Sequence, residues 1–403
     1  MSGAPSERVI IAGAGPVGLA LAQLLGQAGV PVTVIEANPD LAEDLRASTF
    51  HPPTLDMLAG LGVVDEMLAQ GVVAPVWQVR ERQGGGLVAE FDLSLLKGDT
   101  GHPYRVQLEQ YKLARLIKER IDALPRIEVR FSGRLAGLRQ DADSVEAEVE
   151  DVASGERYRL RAAYLVGCDG TGSQVRQSLG IAYEGFTYPE RFFSISTPFD
   201  FAAHFPGLAP VSYFADPEEW CFLLRVPGLW RVMFPIPAEE PDEVTRSAEM
   251  VERRLQGVLA APAPYPVAHR TLYRVQQRIA ETYRVGRVLL AGDAAHNNNP
   301  LGGMGLNSGL HDAFNLARKL IAVLRGEADE TLLDRYVRQR RWVSVEHVNQ
   351  MAARNKQLLE ARDPENRRRG LDELRRTAED PAEAYRYLLN SSLLSSLRRA
   401  AEL

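Results

Sequence analysis

The fold is decided by residues 9–36, whose sequence is VIIAGAGPVGLALAQLLGQAGVPVTVIE. Three apolar residues predict a buried strand at 9–11, and an Ala- and Leu-rich stretch predicts a helix over 16–27. A glycine and a proline separate this helix from a second strand, predicted over 32–35. The segment is therefore interpreted as a complete β-α-β unit.

Three glycines, Gly13, Gly15 and Gly18, form a Gly-x-Gly-x-x-Gly pattern between the first strand and the helix. In a dinucleotide site the first permits a tight turn, the second lets the backbone approach a pyrophosphate, and the third allows close helix–strand packing. Pro16 opens the helix, whose free N–H groups attract that pyrophosphate. Glu36 ends the second strand, where its carboxylate can accept hydrogen bonds from a ribose. The segment predicts a bound ADP moiety, with a merely tight turn as the alternative, and does not separate NAD from FAD.

Composition narrows the class of protein. The chain has 403 residues, 45% of them hydrophobic and 25% charged, which is typical of a soluble protein of two or three domains. Its 47 basic and 53 acidic residues give a net charge of −6, so we expect no nucleic-acid partner. Two cysteines and no His-x-x-x-His pair predict neither a disulfide framework nor a metal site. No apolar run reaches roughly 18 residues, so we expect no stable membrane insertion and a cytoplasmic location.

The patterning along the chain predicts an α/β nucleotide-binding domain interrupted by a β-rich domain and followed by a helical C-terminus. Helices are predicted over 55–68 and 110–124. The alternation of apolar and polar residues over 127–167 indicates antiparallel strands. The apolar run at 285–291 predicts a buried strand. The predicted parts are a first nucleotide-binding part (1–75), substrate-domain strands (76–100), a second nucleotide-binding part (101–182), a β-rich substrate domain (183–275), a third nucleotide-binding part (276–330) and C-terminal helices (331–403).

Two later segments repeat the arrangement of a strand that ends in a glycine-containing turn. Residues 164–176 read YLVGCDGTGSQVR and place Asp169 in an Asp-Gly turn before a helix. Residues 287–296 read RVLLAGDAAH and place Asp293 in a Gly-Asp turn, and PLGGMGLNSG follows at 300–309. Asp293 could instead be only an N-cap or turn carboxylate, and Asp169-Gly170 could be only a turn.

With these three motifs in this order, the chain resembles the p-hydroxybenzoate hydroxylase-type family, the single-component FAD-dependent aromatic monooxygenases. The motifs span residues 9–320, so the resemblance covers most of the chain. It implies an FAD-binding Rossmann-like domain with an inserted β-rich substrate domain. It also implies that FAD is the cofactor and that NADH or NADPH is the co-substrate.

The resemblance assigns the cofactor contacts. Asp293 would accept hydrogen bonds from the ribityl hydroxyls, and the helix that follows would direct its N–H groups at the flavin, where glycines permit close approach. The residues implied in this second contact are Pro300, Gly303, Gly305, Leu306 and Asn307. Asp169 would help to bind FAD and NAD(P)H, with Arg176 supporting its loop. Arg46 resembles an arginine near the pyrophosphate and Gln110 a glutamine near the flavin, with a surface arginine and a helix-capping glutamine as alternatives.

The reaction that the resemblance implies is hydroxylation. NAD(P)H reduces FAD, the reduced flavin and O2 give a C4a-hydroperoxide, and its distal oxygen passes to an electron-rich aromatic ring. The expected substrate is a small hydroxyaromatic or heteroaromatic molecule that can carry a carboxylate. The alternatives are an epoxidase or oxidase relative acting on a non-aromatic or quinone-like substrate and, more distantly, an NAD-dependent dehydrogenase or a non-enzymatic nucleotide-binding protein. A monomer or a homodimer is expected.

The substrate pocket is predicted between the 183–273 layer and the Pro300 loop. Alternation implies that about half of its candidate residues face inward. These candidates are Tyr213, Phe214, Trp220, Phe222, Leu224, Arg225, Trp230, Arg231 and Met233. Arg225 could anchor a carboxylate and Tyr213 could hydrogen-bond a phenol, or both could be structural. The carbonyl of Asn299 or Pro300 could face the substrate, and the amides at 297–299 favour a polar or heteroaromatic ring.

Overall fold

The computed structural model describes residues 7–43, 45 and 47–403. Within these residues the strands, numbered in chain order, are β1 (Val9–Ala12), β2 (Val32–Ile35), β3 (Thr49–Phe50), β4 (Val72–Ala74), β5 (Val76–Glu81), β6 (Leu87–Asp92), β7 (Arg105–Gln107), β8 (Ile127–Arg130), β9 (Gly133–Gln140), β10 (Val145–Asp151), β11 (Arg157–Ala162), β12 (Tyr164–Gly167), β13 (Tyr183–Thr197), β14 (Val211–Ala215), β15 (Cys221–Val226), β16 (Leu229–Ile236), β17 (His269–Ala280), β18 (Arg284–Val285), β19 (Val288–Leu290) and β20 (His296–Asn297).

The helices of the same residues are α1 (Pro16–Gln27), α2 (Pro52–Ala59), α3 (Val64–Gln70), α4 (Gln110–Asp122), α5 (Gln174–Ser178), α6 (Asp242–Arg246), α7 (Ala248–Val258), α8 (Met304–Leu324), α9 (Thr331–Trp342), α10 (Asn349–Leu359), α11 (Pro364–Glu379), α12 (Pro381–Ser391) and α13 (Leu394–Glu402). A π-helical turn at Val343–Val348 joins α9 to α10.

The first layer is a six-stranded sheet in the order β18-β19-β12-β1-β2-β8. Its strands pair in parallel except for β18, which is antiparallel to β19 at one edge. The central strands are apolar and fully buried because helices cover the sheet. Since β1, β12 and β19 are neighbours and parallel, the turns after them lie side by side at one edge of the sheet.

The second layer is an eight-stranded sheet in the order β20-β17-β13-β16-β15-β14-β5-β6. It is antiparallel except for the parallel pair β5 and β14. Strands from 76–92 therefore join strands from 183–297, although about 90 residues of chain separate them. One face packs on α7 and the other on the C-terminal helices.

Three predictions of local structure are wrong in part. Within 127–167 only β9, β10 and β11 form an antiparallel sheet. The strands at the two ends of this segment, β8 and β12, instead pair in parallel with strands of the six-stranded sheet. The helix predicted over 55–68 is two helices, interrupted at Gly60–Gly62, where Gly62 has a φ of +70°. The run at 285–291 is broken by a turn at Gly286 (φ +57°) into β18 and β19.

The β-rich layer predicted from 183 to 273 contains two long strands. β13 has 15 residues and β17 has 12, and their antiparallel pairing shifts register between Thr187 and Arg191. The same segment holds the helices α6 and α7. Aromatic and proline-rich sequence does not show strand length, because the pairing of β13 with β17 is a long-range contact.

The C-terminal residues are helical, as predicted. Helices α11 and α12 lie on the second sheet, and Leu371, Leu374 and Leu388 share a buried cluster with Trp77 and Phe91 of that sheet. Among the residues that the structure describes, no helix has the length and apolar character needed to span a bilayer. The α/β architecture with a helical end is thus confirmed, and the proposed domain boundaries remain a prediction.

Candidate active site

A cavity of about 570 Å³ lies where the turns after β1, β12 and β19 meet, and it extends to the second sheet. Its lining residues come from the first glycine turn, the segments around 47–49 and 168–171, the start of α4, the strands β15–β17, and the segment from 291 to 309. The sequence-predicted residues that line it are Gly15, Pro16, Gln110, Phe222, Leu224, Met233, Asp293, Asn297, Asn298, Asn299, Pro300, Gly303, Gly305 and Leu306.

The three glycines of the turn after β1 are needed for different structural reasons. Gly13 has a φ of +102°, and a Cβ there would overlap the carbonyl of Cys168. A Cβ on Gly18 would overlap the carbonyl of Gly13, so that α1 can pack closely on β1 only without a side chain. Gly15 differs, because a Cβ there would meet no atom within 4 Å and its φ of −69° suits any residue. Its free space faces the cavity, which is what a pyrophosphate-binding position requires.

Glu36 lies at the end of β2 and closes this turn. Its Oε2 accepts a hydrogen bond of 2.8 Å from the backbone N–H of Ala14. Its Oε1 accepts bonds from the backbone and side chain of Asn38, at 2.9 and 2.7 Å. Each carboxylate oxygen has two lone pairs, so Oε1 is fully used and Oε2 keeps one. The carboxylate therefore orders the glycine turn and keeps acceptor capacity for a ribose.

The Asp-Gly turn after β12 is held from within. Asp169 accepts a 2.5 Å bond from the hydroxyl of Ser173, the N-cap residue of α5, and a 3.0 Å bond from the backbone N–H of Val175 in the first turn of that helix. Burial raises its pKa. Its neighbours Gly170 and Thr171 line the cavity. The side chain of Asp169 is therefore used within the turn, and a contact of this turn with the cofactor would be made by the backbone.

Arg176 connects this turn to the third motif. Its guanidinium donates to the carbonyl of Thr171 and to that of Ala294, each at 2.9 Å. It also lies over the ring of Tyr183, 3.8 Å from the centroid. One buried arginine therefore links the loops after β12 and β19, which is a supporting position of the kind that the resemblance implies for it.

The Gly-Asp turn after β19 presents Asp293 to the cavity, half-buried. Beyond it, α8 begins after Gly303, which has φ +66° and ψ +32° and provides no side-chain cap. The first N–H groups of a helix have no intrahelical partner. Those of Met304, Gly305 and Leu306 therefore give the cavity a partial positive charge.

Asn307 does not line the cavity, and its amide is used inside the protein. Its Oδ1 accepts a 2.8 Å bond from the backbone N–H of His51, while its Nδ2 donates to the carbonyls of Thr49 and Gly303 at 2.8 and 2.6 Å. His51 Nε2 in turn donates to the carbonyl of Gly302 at 2.8 Å. Burial lowers the pKa of this histidine, so it is neutral. Asn307 thus fixes the start of α8, and its side chain acts on the cavity through the backbone that it holds.

A buried ionic network lies directly beneath the Gly-Asp turn. Asp312 of α8 accepts bonds from the backbone N–H of Gly292 (3.0 Å), from His296 Nε2 (2.7 Å) and from Arg340 Nε of α9 (2.6 Å). Arg340 also donates to the hydroxyl and carbonyl of Ser308. Burial alone would raise the pKa of Asp312, but His296 and Arg340 outweigh it and hold the pKa below its usual value. The sequence motifs did not indicate this network, because its members are scattered over 48 positions from 292 to 340.

We expect Arg340→Met to lower the free energy of unfolding by about 3 to 5 kcal/mol, because it removes the guanidinium that pairs with the buried carboxylate of Asp312. Urea unfolding at neutral pH measures this. Arg338→Met, on the exposed face of the same helix, should change it by less than about 0.5 kcal/mol.

The pH dependence of the free energy of unfolding provides a second test of the ion pair between Asp312 and Arg340. Since the pKa of Asp312 is lowered in the folded protein, its contribution is complete above the unfolded value of about 3.9 and is lost as the pH falls through the folded value. The difference between Arg340→Met and the wild type should therefore shrink in acid. An unchanged difference would show that the stabilisation does not come from this charge.

The wall formed by the second sheet is largely apolar, although Arg274 and Gln276 of β17 also line the cavity. Phe222, Leu224 and Met233 line it as predicted, and Tyr273 and Val275 of β17 complete it. No sequence signal singled out the last two, since only the antiparallel pairing of β17 with β13 brings them there. On β15 the alternate residues Cys221 and Leu223 face the other side of the sheet.

The other pocket candidates lie elsewhere. Arg225 is exposed and stacks on Trp230, 5.6 Å from the ring centroid, because the alternation of β15 turns it away from Leu224. It therefore does not anchor a group in this cavity. Tyr213 is buried beside a second, smaller cavity, where its oxygen accepts a 3.2 Å bond from the N–H of Gly302. Phe214 and Trp230 belong to the core on the far face, and Trp220 and Arg231 are buried.

The three asparagines are not equivalent. Asn297 accepts a 2.6 Å bond from the hydroxyl of Tyr183, and Asn299 is fully buried, with its Oδ1 accepting from the N–H of Leu301 at 3.1 Å. Asn298 donates to the carbonyl of Asn299, and its Oδ1 has no hydrogen-bond partner among the described residues. All three residues line the cavity, and the Oδ1 of Asn298 is the one side-chain oxygen among them without a partner in the part of the chain that the structure describes.

These residues fit a flavin dinucleotide. The open position at Gly15 suits a pyrophosphate, Asp293 suits the hydroxyls of the ribityl chain, and the N–H groups at the start of α8 suit the electron-rich edge of the ring. Gln110, the first residue of α4, lines the same cavity. Arg46, predicted near the pyrophosphate, lies outside the described residues. Among those residues no group of three or more potential ligands is arranged to hold a metal ion.

Comparison with known proteins assigns the family. A family model described as an FAD binding domain matches residues 6–351. The chain is 36% identical to a para-nitrophenol 4-monooxygenase of a Pseudomonas species over 395 residues, covering 97% of each chain. It is 34% identical to a 6-hydroxy-3-succinoylpyridine 3-monooxygenase of Pseudomonas putida, covering 87% of this chain and 88% of the relative.

A solved structure agrees with the sequence comparison. The crystal structure of a p-nitrophenol 4-monooxygenase from Pseudomonas putida superposes with a TM-score of 0.90 at 33% identity, and the match covers 94% of this chain and 96% of that chain. The similarity extends over nearly the whole of both proteins. The chain therefore belongs to the family of FAD-binding aromatic monooxygenases of the p-hydroxybenzoate hydroxylase type.

Proposed function

We propose that this enzyme uses NADH or NADPH and O2 to hydroxylate a small hydroxyaromatic or heteroaromatic molecule. The observation that supports the proposal most strongly is the single cavity whose lining joins the dinucleotide turn, the start of α8 and an apolar wall. Bound FAD would accept a hydride from the nicotinamide and activate O2 for transfer of one oxygen to the ring. The relatives act, by their names, on a nitrophenol and a hydroxypyridine, which are substrates of this class.

The protein's own residues would hold the two molecules. Gly15 and Pro16 would receive the pyrophosphate, Asp293 would accept hydrogen bonds from the ribityl chain, and the start of α8 would stabilise negative charge on the flavin ring. The substrate ring would lie against the wall of Phe222, Leu224, Met233, Tyr273 and Val275. Its apolar surface would exclude water from the reacting atoms, which protects a reactive oxygen species from hydrolysis.

Asn298 is the group best placed to recognise a polar substituent. Its Oδ1 is buried and lies 3.1 Å from the position that a Cβ on Gly305 would occupy, so it is next to the first turn of α8. A carbonyl oxygen there would accept a hydrogen bond from a substrate hydroxyl or ring N–H. This preference favours hydroxyaromatic and hydroxypyridine substrates over unsubstituted rings.

The test is a substrate panel on FAD-loaded enzyme. Nitrophenols, hydroxybenzoates and hydroxypyridines should be compared for stimulation of NADH and NADPH oxidation, and the products analysed after reaction in ¹⁸O2. We expect at least one hydroxyaromatic compound to stimulate oxidation and to gain one labelled oxygen. If oxidation is stimulated but no product carries the label, the enzyme is an oxidase. If no member of the panel stimulates oxidation, the substrate class is wrong.

We expect Met233→Trp to raise the KM for the best substrate about tenfold or more without loss of FAD, because the larger ring would fill the substrate end of the cavity. Steady-state kinetics and the flavin content of the purified variant measure the two effects. Arg225→Ala is the control, since Arg225 lies outside the cavity, and its KM should match that of the wild type. Equal KM values for all three proteins would place the substrate elsewhere.

A further inference from the structure

A second cavity, of about 30 Å³, lies behind the loop that carries Gly302. It is enclosed between the second sheet and the C-terminal helices α10 and α12, and Met304 lines both this cavity and the large one. The volume exceeds the 10 to 15 Å³ or so that one water molecule needs, but it is too small for an aromatic ring. It therefore suits one small ion or one substituent.

Arg105 of β7 lines this cavity and carries an unusual charge. It is only 2% exposed, and among the described residues no carboxylate lies within 4.0 Å of its guanidinium. Its contacts are aromatic: the guanidinium lies 5.3 Å from the ring centroid of Trp77, and it interacts with the hydroxyl of Tyr213. A buried cation is costly unless an anion compensates it.

Three side chains that line the cavity have a buried polar atom without a hydrogen-bond partner among the described residues. They are Arg105 through Nε, Trp77 through Nε1 and Ser391 through Oγ. The indole and guanidinium nitrogens can only donate hydrogen bonds, and a hydroxyl can donate as well. The three residues come from β7, β5 and α12, so the tertiary fold assembles these donors around one small space.

We propose that the cavity of Arg105, Trp77 and Ser391 binds a small, singly charged anionic group. The positive charge favours an anion over neutral water, and three donors that lack an acceptor suit a halide or a carboxylate. A nitro group is neutral overall, but its two oxygens carry partial negative charge and would accept the same hydrogen bonds more weakly. Such an anionic group has two possible sources. One is a free inorganic anion; the other, which rests on the proposed function, is a substituent of a substrate whose ring lies in the large cavity beyond Met304.

Bromide is the probe for the site itself. FAD-loaded enzyme should unfold about 1 to 3 °C higher in sodium bromide than in sodium gluconate of equal ionic strength, because a ligand of the folded state stabilises it. Crystals soaked in bromide should show an anomalous peak within hydrogen-bond distance of Arg105 Nε. Arg105→Met should abolish both effects, whereas Arg225→Met, which removes an exposed arginine, should keep them.

Trp77→Phe provides a variant that keeps the ring and the packing but removes one donor. It should raise the bromide concentration at half-maximal stabilisation several-fold. If Arg105→Met fails to fold, the Trp77→Phe variant and the anomalous peak still test whether the cavity binds an anion. Equal responses to bromide and gluconate in the wild type, with no peak at Arg105, would overturn the proposal and leave water as the occupant.

Inhibition kinetics separate the two sources. Bromide that competes with a carboxylated or nitrated substrate, but not with the unsubstituted phenol, would assign the site to the substrate's substituent. Bromide that binds without changing either KM would assign it to a free anion. Both results support an anion site, and the unfolding and diffraction measurements do not depend on turnover, so an inactive enzyme would count against the proposed function alone.

Discussion

Asp293→Ala is expected to weaken FAD binding by about 10- to 100-fold, so that the protein is purified largely without flavin. The reason is that the carboxylate lines the cavity at the end of β19, where charge-assisted hydrogen bonds to ribityl hydroxyls are each worth about 1.5 to 3 kcal/mol. Flavin content after purification and titration of the apoprotein with FAD measure the change.

Two further variants show whether the lost charge or a disturbed fold causes the loss of FAD affinity. Asp293→Asn keeps an acceptor oxygen and should lose less affinity than the alanine variant. Asp372→Ala, on α11 with a side chain that is 49% exposed, should bind FAD as the wild type does. Normal flavin retention by Asp293→Ala would refute the assigned contact. In that case the cofactor would be positioned by the backbone of the turn, which the network of Asp312 holds in place.

Gly15→Val is expected to fold normally and to lose FAD almost completely, by about 100-fold or more. The backbone at Gly15 has a φ of −69° and a ψ of 174°, which valine adopts without strain, and a Cβ there meets no protein atom within 4 Å. The side chain would instead occupy the space next to the start of α1 that the pyrophosphate needs. Circular dichroism and thermal unfolding of the apoprotein, together with FAD titration, separate folding from binding.

The other glycines of the motif should behave in the opposite way. A Cβ on Gly13 or Gly18 would overlap a backbone carbonyl, so valine at either position should destabilise the apoprotein itself. Gly98→Val is the matched control, because a Cβ there is also free of contacts and the residue lies outside the cavity. Equal FAD affinity of Gly15→Val and Gly98→Val would contradict the assigned pyrophosphate position.

Local sequence was sufficient for the cofactor-binding half of the site. The helix predicted over 16–27 has those bounds in the structure, and β1 and β2 enclose it as expected. Glycine at a tight turn, proline at a helix start and an acid at a strand end are each required by the backbone within a few residues. Such signals are short-range, so they can be interpreted without knowledge of the fold.

Side-chain direction was the main source of error in the substrate half. Arg225 and Leu224 are adjacent in sequence, yet one is exposed and the other lines the cavity. Alternation along a strand shows that neighbours face opposite ways, but not which face meets the cofactor domain. Tyr273 and Val275 were missed for the same reason, because their face is chosen by the pairing of β17 with β13.

By itself, therefore, the sequence determined the family, the order of the three turns and the class of cofactor, because each motif is a local backbone requirement and parallel strands bring their carboxyl ends together. Only the tertiary structure decided that Asp312 supports the turn of Asp293 and that Arg105 is buried with no carboxylate of the described residues beside it. Those roles depend on contacts between residues distant in the chain, and the packing of two sheets against the C-terminal helices creates them.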